Sequence, residues 1–366
     1  MTLLITLSGL VICAKGQDEG INNGQLIVTQ TKNGVELVCV QPQDRIWLIS
    51  ARKVTPCAGE LSELDILSLK GTTWECRSLE DLKAEHVSDP HRESLVFVHG
   101  NRYNLEWCKS RGLQFYSRVF ANCPDRPPVR LILFSWKSET EKKIRPIQDY
   151  RIKSRRSLEL SCIFAKVMDY LDERKLLICG YSLGAQIVIK GISEQSPASR
   201  PVHNNLITLI APAFDPYYWS TQLESFNRSG LAGPTKVFVN QNDKVICASE
   251  LFAKKVGRDC LSTSEKIATG LMDQKLIHVF DVTAEAPGKH DLNSYLESDT
   301  IRCELRESLS KLSADHPLDV LPIQNATAEG QVEDDVKKVA ADILHTENKA
   351  GLADKQVAKP GNTNLK

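Results

Sequence analysis

The sequence carries no surplus of charge: 46 Lys and Arg stand against 46 Asp and Glu in 366 residues. Without a bulk potential of one sign, electrostatic capture of nucleic acid or of an anionic membrane has no basis, and neither partner is expected. No apolar run reaches the ~18–20 residues that span a bilayer, so no transmembrane span is expected. Cys-x-x-Cys, His-x-x-x-His and His-Glu-x-x-His spacings are all missing, which argues against a bound metal. Residues 313–366 hold no Phe, Trp or Tyr and close on a polar Lys359-Pro-Gly-Asn-Thr-Asn-Leu-Lys366. Such a stretch buries too little apolar surface to offset the entropy of ordering, so a disordered tail is expected. One amphipathic helix through Val332, Val336, Val339 and Ile343 is the alternative. What is left, 25% charged and 42% hydrophobic, suits a soluble protein with one large or two medium domains.

Residues 1–16 fit a short signal peptide, with an apolar run from Leu3 to Ala14 and small residues in Ala14-Lys15-Gly16 for cleavage. No Lys or Arg precedes the run, and Ile12 before Cys13 spoils a lipoprotein-type box. A secreted or periplasmic location is the expectation. Removal of Cys13 with the leader would leave ten of the eleven cysteines, an even number that suits an oxidising compartment. Cys108 with Cys123 and Cys247 with Cys260 are candidate local bridges. Cys179, in an apolar strand, and Cys162, on an apolar helix face, read as buried thiols.

From Gln25 the chain reads as short strands. Leu26 to Thr31 and Val35 to Gln41 flank an Asn33-Gly34 hairpin signal, and Ile46 to Ser50 and Ile66 to Leu69 follow. This predicts an antiparallel entrance of three or four strands. Buried runs then alternate with helical spacing: Ser94 to Val98, a helix from Leu105 to Ala121, and a strand from Val129 to Ser135. After a polar, charged segment from Glu139 to Arg156, Leu158, Leu160, Ile163, Phe164, Val167, Met168 and Leu171 share one helical face. Leu176 to Cys179, Leu206 to Ile210, Lys236 to Asn240 and Leu276 to Val282 are the later strands. Strands alternating with helices imply a mainly parallel sheet covered on both faces, with ligands outside the carboxyl ends of its strands.

At one such end lies Gly180-Tyr181-Ser182-Leu183-Gly184, a G-x-S-x-G. The bare pattern arises by chance in about one chain in ten of this length, so its context decides. Here an apolar strand precedes it and helical spacing follows, the setting of a nucleophile elbow, with Ser182 as nucleophile. A serine hydroxyl needs a base to take its proton and an acid to hold that base. In α/β-hydrolases the chain order is Ser, then Asp or Glu, then His. Of His203, His278, His290, His316 and His345, only His290 occupies a loop after the last strand, so it is the candidate base. Asp243, after the penultimate strand, is the candidate acid; Asp215, one strand earlier, is the alternative acid, and whichever does not serve can cap a helix or turn.

Acyl transfer also needs donors for the oxyanion. The backbone N–H of Leu183 is one, and the N–H of Asn101 is the other, with Arg102 as a weaker alternative. His99 precedes the serine and reads as a brace for its loop. The basic segment from Lys137 to Arg156 reads either as a solvated face or as a site for an anionic substrate. Tyr217-Tyr218-Trp219 reads equally as acyl-pocket lining or as ordinary packing.

Together these residues resemble the α/β-hydrolase superfamily. Phe97-Val-His-Gly-Asn-Arg-Tyr-Asn104 and Phe134-Ser-Trp-Lys-Ser138 are similar to the F-V-H-G-x-x-x-N and F-S-W-x-S of a bacterial group of esterase/lipase-like hydrolases. The resemblance runs from about Ser94 to Leu309. It departs at the elbow, where that group often has A-H-S-M-G. It implies an α/β-hydrolase fold, triad roles for Ser182, Asp243 and His290, and hydrolysis through an acyl-enzyme without a cofactor. The expected layout is a leader over 1–16, an α/β-hydrolase domain over 17–312 and a tail over 313–366. The expected substrate is a small-molecule or lipid-like ester. Amide hydrolysis or acyl transfer on the same triad, or a non-catalytic binder on the same scaffold, are the alternatives.

Overall fold

The computed structural model describes residues 25–31, 34–89, 91–121, 123, 126–140, 146–171, 175–195, 205–213, 232–246 and 277–314. The expected leader and nearly all of the expected tail lie outside these residues, as do Asp215, Tyr217-Tyr218-Trp219, Cys247 and Cys260. The strands are β1 (Gln25–Thr31), β2 (Gly34–Val40), β3 (Arg45–Ser50), β4 (Asp65–Lys70), β5 (Thr73–Arg77), β6 (Glu93–Val98), β7 (Val129–Ser135), β8 (Leu177–Tyr181), β9 (Asn205–Ile210), β10 (Ala232–Val239) and β11 (Ile277–Asp281). The helices are α1 (Leu79–Ser88), α2 (Leu105–Tyr116), α3 (Pro146–Tyr170), α4 (Leu183–Glu194), α5 (Leu292–Tyr295) and α6 (Asp299–Ala314), with a π turn over Ser117–Ala121.

Every residue of β6, β7, β8 and β9 is buried. A strand with one wet face would alternate, whereas an unbroken apolar run belongs in a parallel sheet covered on both sides. Successive side chains divide between two cores. Val96, Val98, Ile132, Phe134, Ile178, Ile207 and Leu209 pack with residues of α1, α3 and α4. Leu95, Phe97, Leu131, Leu133, Leu177, Leu206 and Ile210 pack with α2, the π turn and α6. Each such side chain removed from water contributes roughly 1.5–3 kcal/mol.

Nine strands of the described residues form this sheet, in the order β11-β10-β9-β8-β6-β7-β3-β4-β5. From β11 to β3 all neighbours are parallel, and only β4 and β5 pair antiparallel. The fold is an α/β-hydrolase fold: a mostly parallel sheet flanked by helices, with a small antiparallel sheet beside it. The expected antiparallel N-terminal strands are found in two places: β1 pairs with β2, and β3, β4 and β5 pair in turn. The β1–β2 hairpin stands apart as a two-stranded sheet, and β3 joins the main sheet parallel to β7. The charged segment is corrected, since α3 begins at Pro146 rather than near Leu158. Proline suits a first helical position, where its missing N–H costs nothing.

Candidate active site

Strand β8 runs directly into Ser182, whose φ of 54° and ψ of −122° lie where side-chain-bearing residues are strained. Neighbouring strand ends hold it there. The Ser182 N–H donates to the Ile210 carbonyl (3.0 Å), and the Ser182 carbonyl accepts from Ala185 N (3.1 Å) and Ala213 N (3.3 Å). The flanking glycines permit the crowding. A Cβ on Gly184 would sit 2.3 Å from the Val98 carbonyl oxygen, and one on Gly180 would sit 2.7 Å from Ala185 Cα. The turn therefore lifts the serine hydroxyl off the end of the sheet while its backbone stays fixed.

Two more loops reach this hydroxyl. Strand β10 ends at Val239, and the turn after it carries Asp243; the loop after β11 carries His290. Asn240 ties the two, donating through Nδ2 to the carbonyls of Ala286 and Pro287 (3.2 Å each). Ser182 Oγ lies 2.8 Å from His290 Nε2, and His290 Nδ1 lies 2.7 Å from Asp243 Oδ2. A carboxylate can only accept, so the proton sits on Nδ1 and Nε2 faces the hydroxyl as an acceptor. Asp243 Oδ1 accepts from the N–H groups of Val245 (3.0 Å) and Ile246 (3.1 Å). Burial alone pushes the Asp243 carboxyl up, but hydrogen bonds from His290, Tyr295 and Ile246 outweigh it and hold the group below its ordinary range.

A model of a family described as alpha/beta hydrolases of unknown function (DUF900) matches residues 76–307, well over half of the chain. The chain belongs to this family. Among solved structures, a proposed cell-surface hydrolase from Lactobacillus plantarum WCFS1 overlaps 61% of this chain and 98% of its own, at 10% identity and a TM-score of 0.32. A likeness that weak carries no argument. Comparison with curated protein sequences finds no match.

In this member of the α/β-hydrolase family the loop after β6 lies against the elbow: a Cβ on Gly100 would sit 2.9 Å from Ser182 Cβ. Ser138 fastens that loop, accepting from Tyr103 N (3.0 Å) and donating to the Gly100 carbonyl (3.0 Å). His99 is fully buried and spans the same gap. Its Nε2 accepts from Trp136 N (3.1 Å), so its Nδ1–H donates to the Gly100 carbonyl (2.8 Å). Burial holds His99 down to about 3, so it stays neutral as a brace. The Arg102 N–H donates to the Ser138 carbonyl (2.7 Å) and to Asn101 Oδ1 (2.8 Å). Leu183 opens α4, where an N–H has no partner within its own helix.

Two tyrosines that the sequence did not assign to the site complete it. Tyr295, at the end of α5, donates its hydroxyl to Asp243 Oδ2 at 2.7 Å. Tyr181, next to the nucleophile, stacks its ring on His290, with centroids 5.4 Å apart and planes at 23°. Tyr295 lies five residues after His290, and no local pattern points its hydroxyl at a carboxylate on another loop. The basic segment is mixed: Arg155 is exposed, whereas Lys153 is buried in a 2.7 Å ion pair with Asp149. Among the described residues, no three His, Cys, Asp or Glu side chains converge as a metal site. A separate cavity of about 520 Å³, lined in part by Gln25, Asp44, Trp47 and Lys70, includes none of the residues around Ser182.

Proposed function

We propose that this protein is a serine hydrolase of carboxylic esters, acting through an acyl-enzyme with Ser182, His290 and Asp243 as its triad. The observation that carries the reading is the unbroken chain of two hydrogen bonds, 2.8 Å and 2.7 Å, from the serine hydroxyl through the imidazole to a buried carboxylate. Ser182 Oγ attacks the ester carbonyl while His290 Nε2 takes its proton. The backbone N–H groups of Leu183 and Asn101 receive the oxyanion. His290 then protonates the departing alkoxide, and a water, deprotonated by the same nitrogen, frees the acyl group. Asp243 keeps the imidazole in the correct tautomer and offsets its transient positive charge. No cofactor enters this scheme. The substrate class is a small-molecule or lipid-like ester, and the reading of residues 1–16 as a leader adds a secreted or periplasmic location.

A fluorophosphonate probe tests the nucleophile, with labelling of the wild type and none of Ser182→Ala as the expected result. A wild type that resists the probe would make the protein a binder on a hydrolase scaffold. Turnover of p-nitrophenyl esters is expected to exceed that of matched anilides; the reverse order would replace the ester substrate with an amide. N-terminal sequencing of exported protein is expected to begin after Gly16, and an intact Met1 would remove the leader.

A further inference from the structure

The expected Cys108–Cys123 bridge is not formed: both are thiols, Cys108 buried on α2 and Cys123 with its Sγ turned to the Val119 carbonyl. A different pair meets instead. Cys57, in the loop between β3 and β4, brings its Sγ to 2.6 Å from the Sγ of Cys162 on α3, across a sequence separation of 105. Non-bonded heavy atoms rest at ~3.5–4.0 Å and a disulfide closes to ~2.05 Å, so two intact thiols are crowded at this spacing and a small approach joins them. Both sulfurs also lie 3.0 Å from the Glu159 carbonyl, which places them against the same turn of α3.

The backbone supports the pairing. Cys57 has a φ of 58°, uncommon for any residue with a side chain. Its loop is pinned in that shape by Ala58 N to the Pro56 carbonyl (2.7 Å) and Gly59 N to the Thr55 carbonyl (2.8 Å). Lys166, one turn along α3 from Cys162, donates to the Gly59 carbonyl (3.0 Å). The loop is therefore seated on α3 by contacts other than sulfur, and the sulfurs meet without being pulled together.

We propose that Cys57 and Cys162 form a disulfide that cross-links the β3–β4 loop to helix α3. The oxidant is a small-molecule or protein disulfide. The exposed Cys57 thiolate attacks one of its sulfurs and expels the other as a thiolate. Cys162, deprotonated, then attacks Cys57 Sγ and expels the second thiolate. Two electrons pass from the two cysteines to the oxidant, and their two protons end on its two thiols. Burial pushes the Cys162 thiol up to about 11, which fits Cys57 as the entry point. The cross-link would also anchor Arg52, earlier in the same loop, which donates to the carbonyls of Tyr103 (3.2 Å) and Trp136 (2.8 Å) behind Ser182.

The test is a peptide map of the full-length protein after equilibration with oxidised glutathione. Free thiols are alkylated under denaturing conditions and the chain is digested with trypsin without reductant. The expected product is the peptide of residues 54–70 joined to that of residues 157–166, two hydrogens lighter than their sum, and split by dithiothreitol. Recovery of both peptides singly alkylated, or either one joined to another cysteine, would overturn the assignment. Reduction is expected to lower Tm by about 5–10 °C, as loss of a bridge closing a loop of this length does. Cys57→Ser is expected to abolish the joined peptide while ester turnover per folded molecule stays unchanged. The peptide map and the Tm shift do not depend on the proposed esterase activity, so either reading can fail without the other.

Discussion

Two buried aspartates at opposite poles of the sheet are built alike and end differently. Asp243, outside the carboxyl ends of the strands, accepts from Tyr295 Oη, from two backbone N–H groups and from His290 Nδ1. Asp44, just before β3, accepts from Tyr116 Oη, from Val129 N (2.8 Å) and from both terminal nitrogens of Arg126. Both carboxylates are fully covered, each by one tyrosine and by the backbone. The third partner separates them. Arg126 is permanently charged, and its hydrogen bonds to Asp44, the Phe120 carbonyl and the Pro127 carbonyl leave it fixed. His290 can be neutral or charged, and its far nitrogen faces a hydroxyl. One plan thus makes a fixed clamp when an arginine completes it, and under the proposed function a proton relay when a histidine does.

That contrast is most exposed to a test at the relay's end. Ser182→Ala is expected to cut ester turnover by about 10⁵–10⁶-fold with Tm within a degree or two of wild type, because only the hydroxyl is lost. Next come the two aspartates. Asp243→Asn is expected to lower kcat on the order of 10⁴-fold by favouring the wrong imidazole tautomer, with a modest fall in urea midpoint from the loss of its charge-assisted hydrogen bonds. Asp44→Ala should do the opposite. It leaves Arg126 buried without its counter-charge and costs about 3–5 kcal/mol, while turnover per probe-labelled active site stays near wild type. The division of roles fails if Asp44→Ala silences a protein that remains folded, or if Asp243→Asn lowers the urea midpoint yet leaves turnover per folded molecule near wild type.

The meeting of Ser182, His290 and Asp243 was largely legible in the sequence and the clamp was not, for a physical reason. Ser182 and Asp243 follow buried strands and His290 follows the edge strand β11, and unbroken apolar runs such as Leu95 to Val98 announce parallel strands whose carboxyl ends lie on one side. Asp44 and Arg126 lie 82 residues apart in loops at the amino ends, and nothing local to either marks the other. Cys57 and Cys162 share that obstacle, so sequence proximity favoured Cys108 with Cys123 instead. The parallel pairing of β3 was hidden because a short apolar strand reads alike in either direction. Helix α1 did carry a readable start, the Ser78–Asp81 capping box. The first turns of α3 lacked an apolar stripe, yet Pro146 was a usable signal for their beginning.

The tyrosines give the finest comparison. Tyr295→Phe removes one of the donors that hold Asp243 ionised and oriented, and a hydrogen bond to a charged group contributes about 1.5–3 kcal/mol, so kcat is expected to fall by about tenfold or somewhat more. The pH dependence follows from the sign of the Asp243 shift. A carboxyl whose folded pKa is depressed adds stability above the ordinary aspartate value of about 3.9, and that stability is lost as pH falls through the folded value. Phenylalanine moves the folded value back up, so acid unfolding and acid loss of turnover should both begin at higher pH than in wild type. Tyr116→Phe takes the matching hydroxyl from Asp44 and from Gln41 N (3.0 Å), while Arg126 and Val129 N remain on the carboxylate, so the expected cost is about 1.5–3 kcal/mol with kcat and its pH profile unmoved. If Tyr295→Phe merely lowers the urea midpoint and leaves the profile in place, its hydroxyl is a clamp like that of Tyr116, and the relay ends at Asp243.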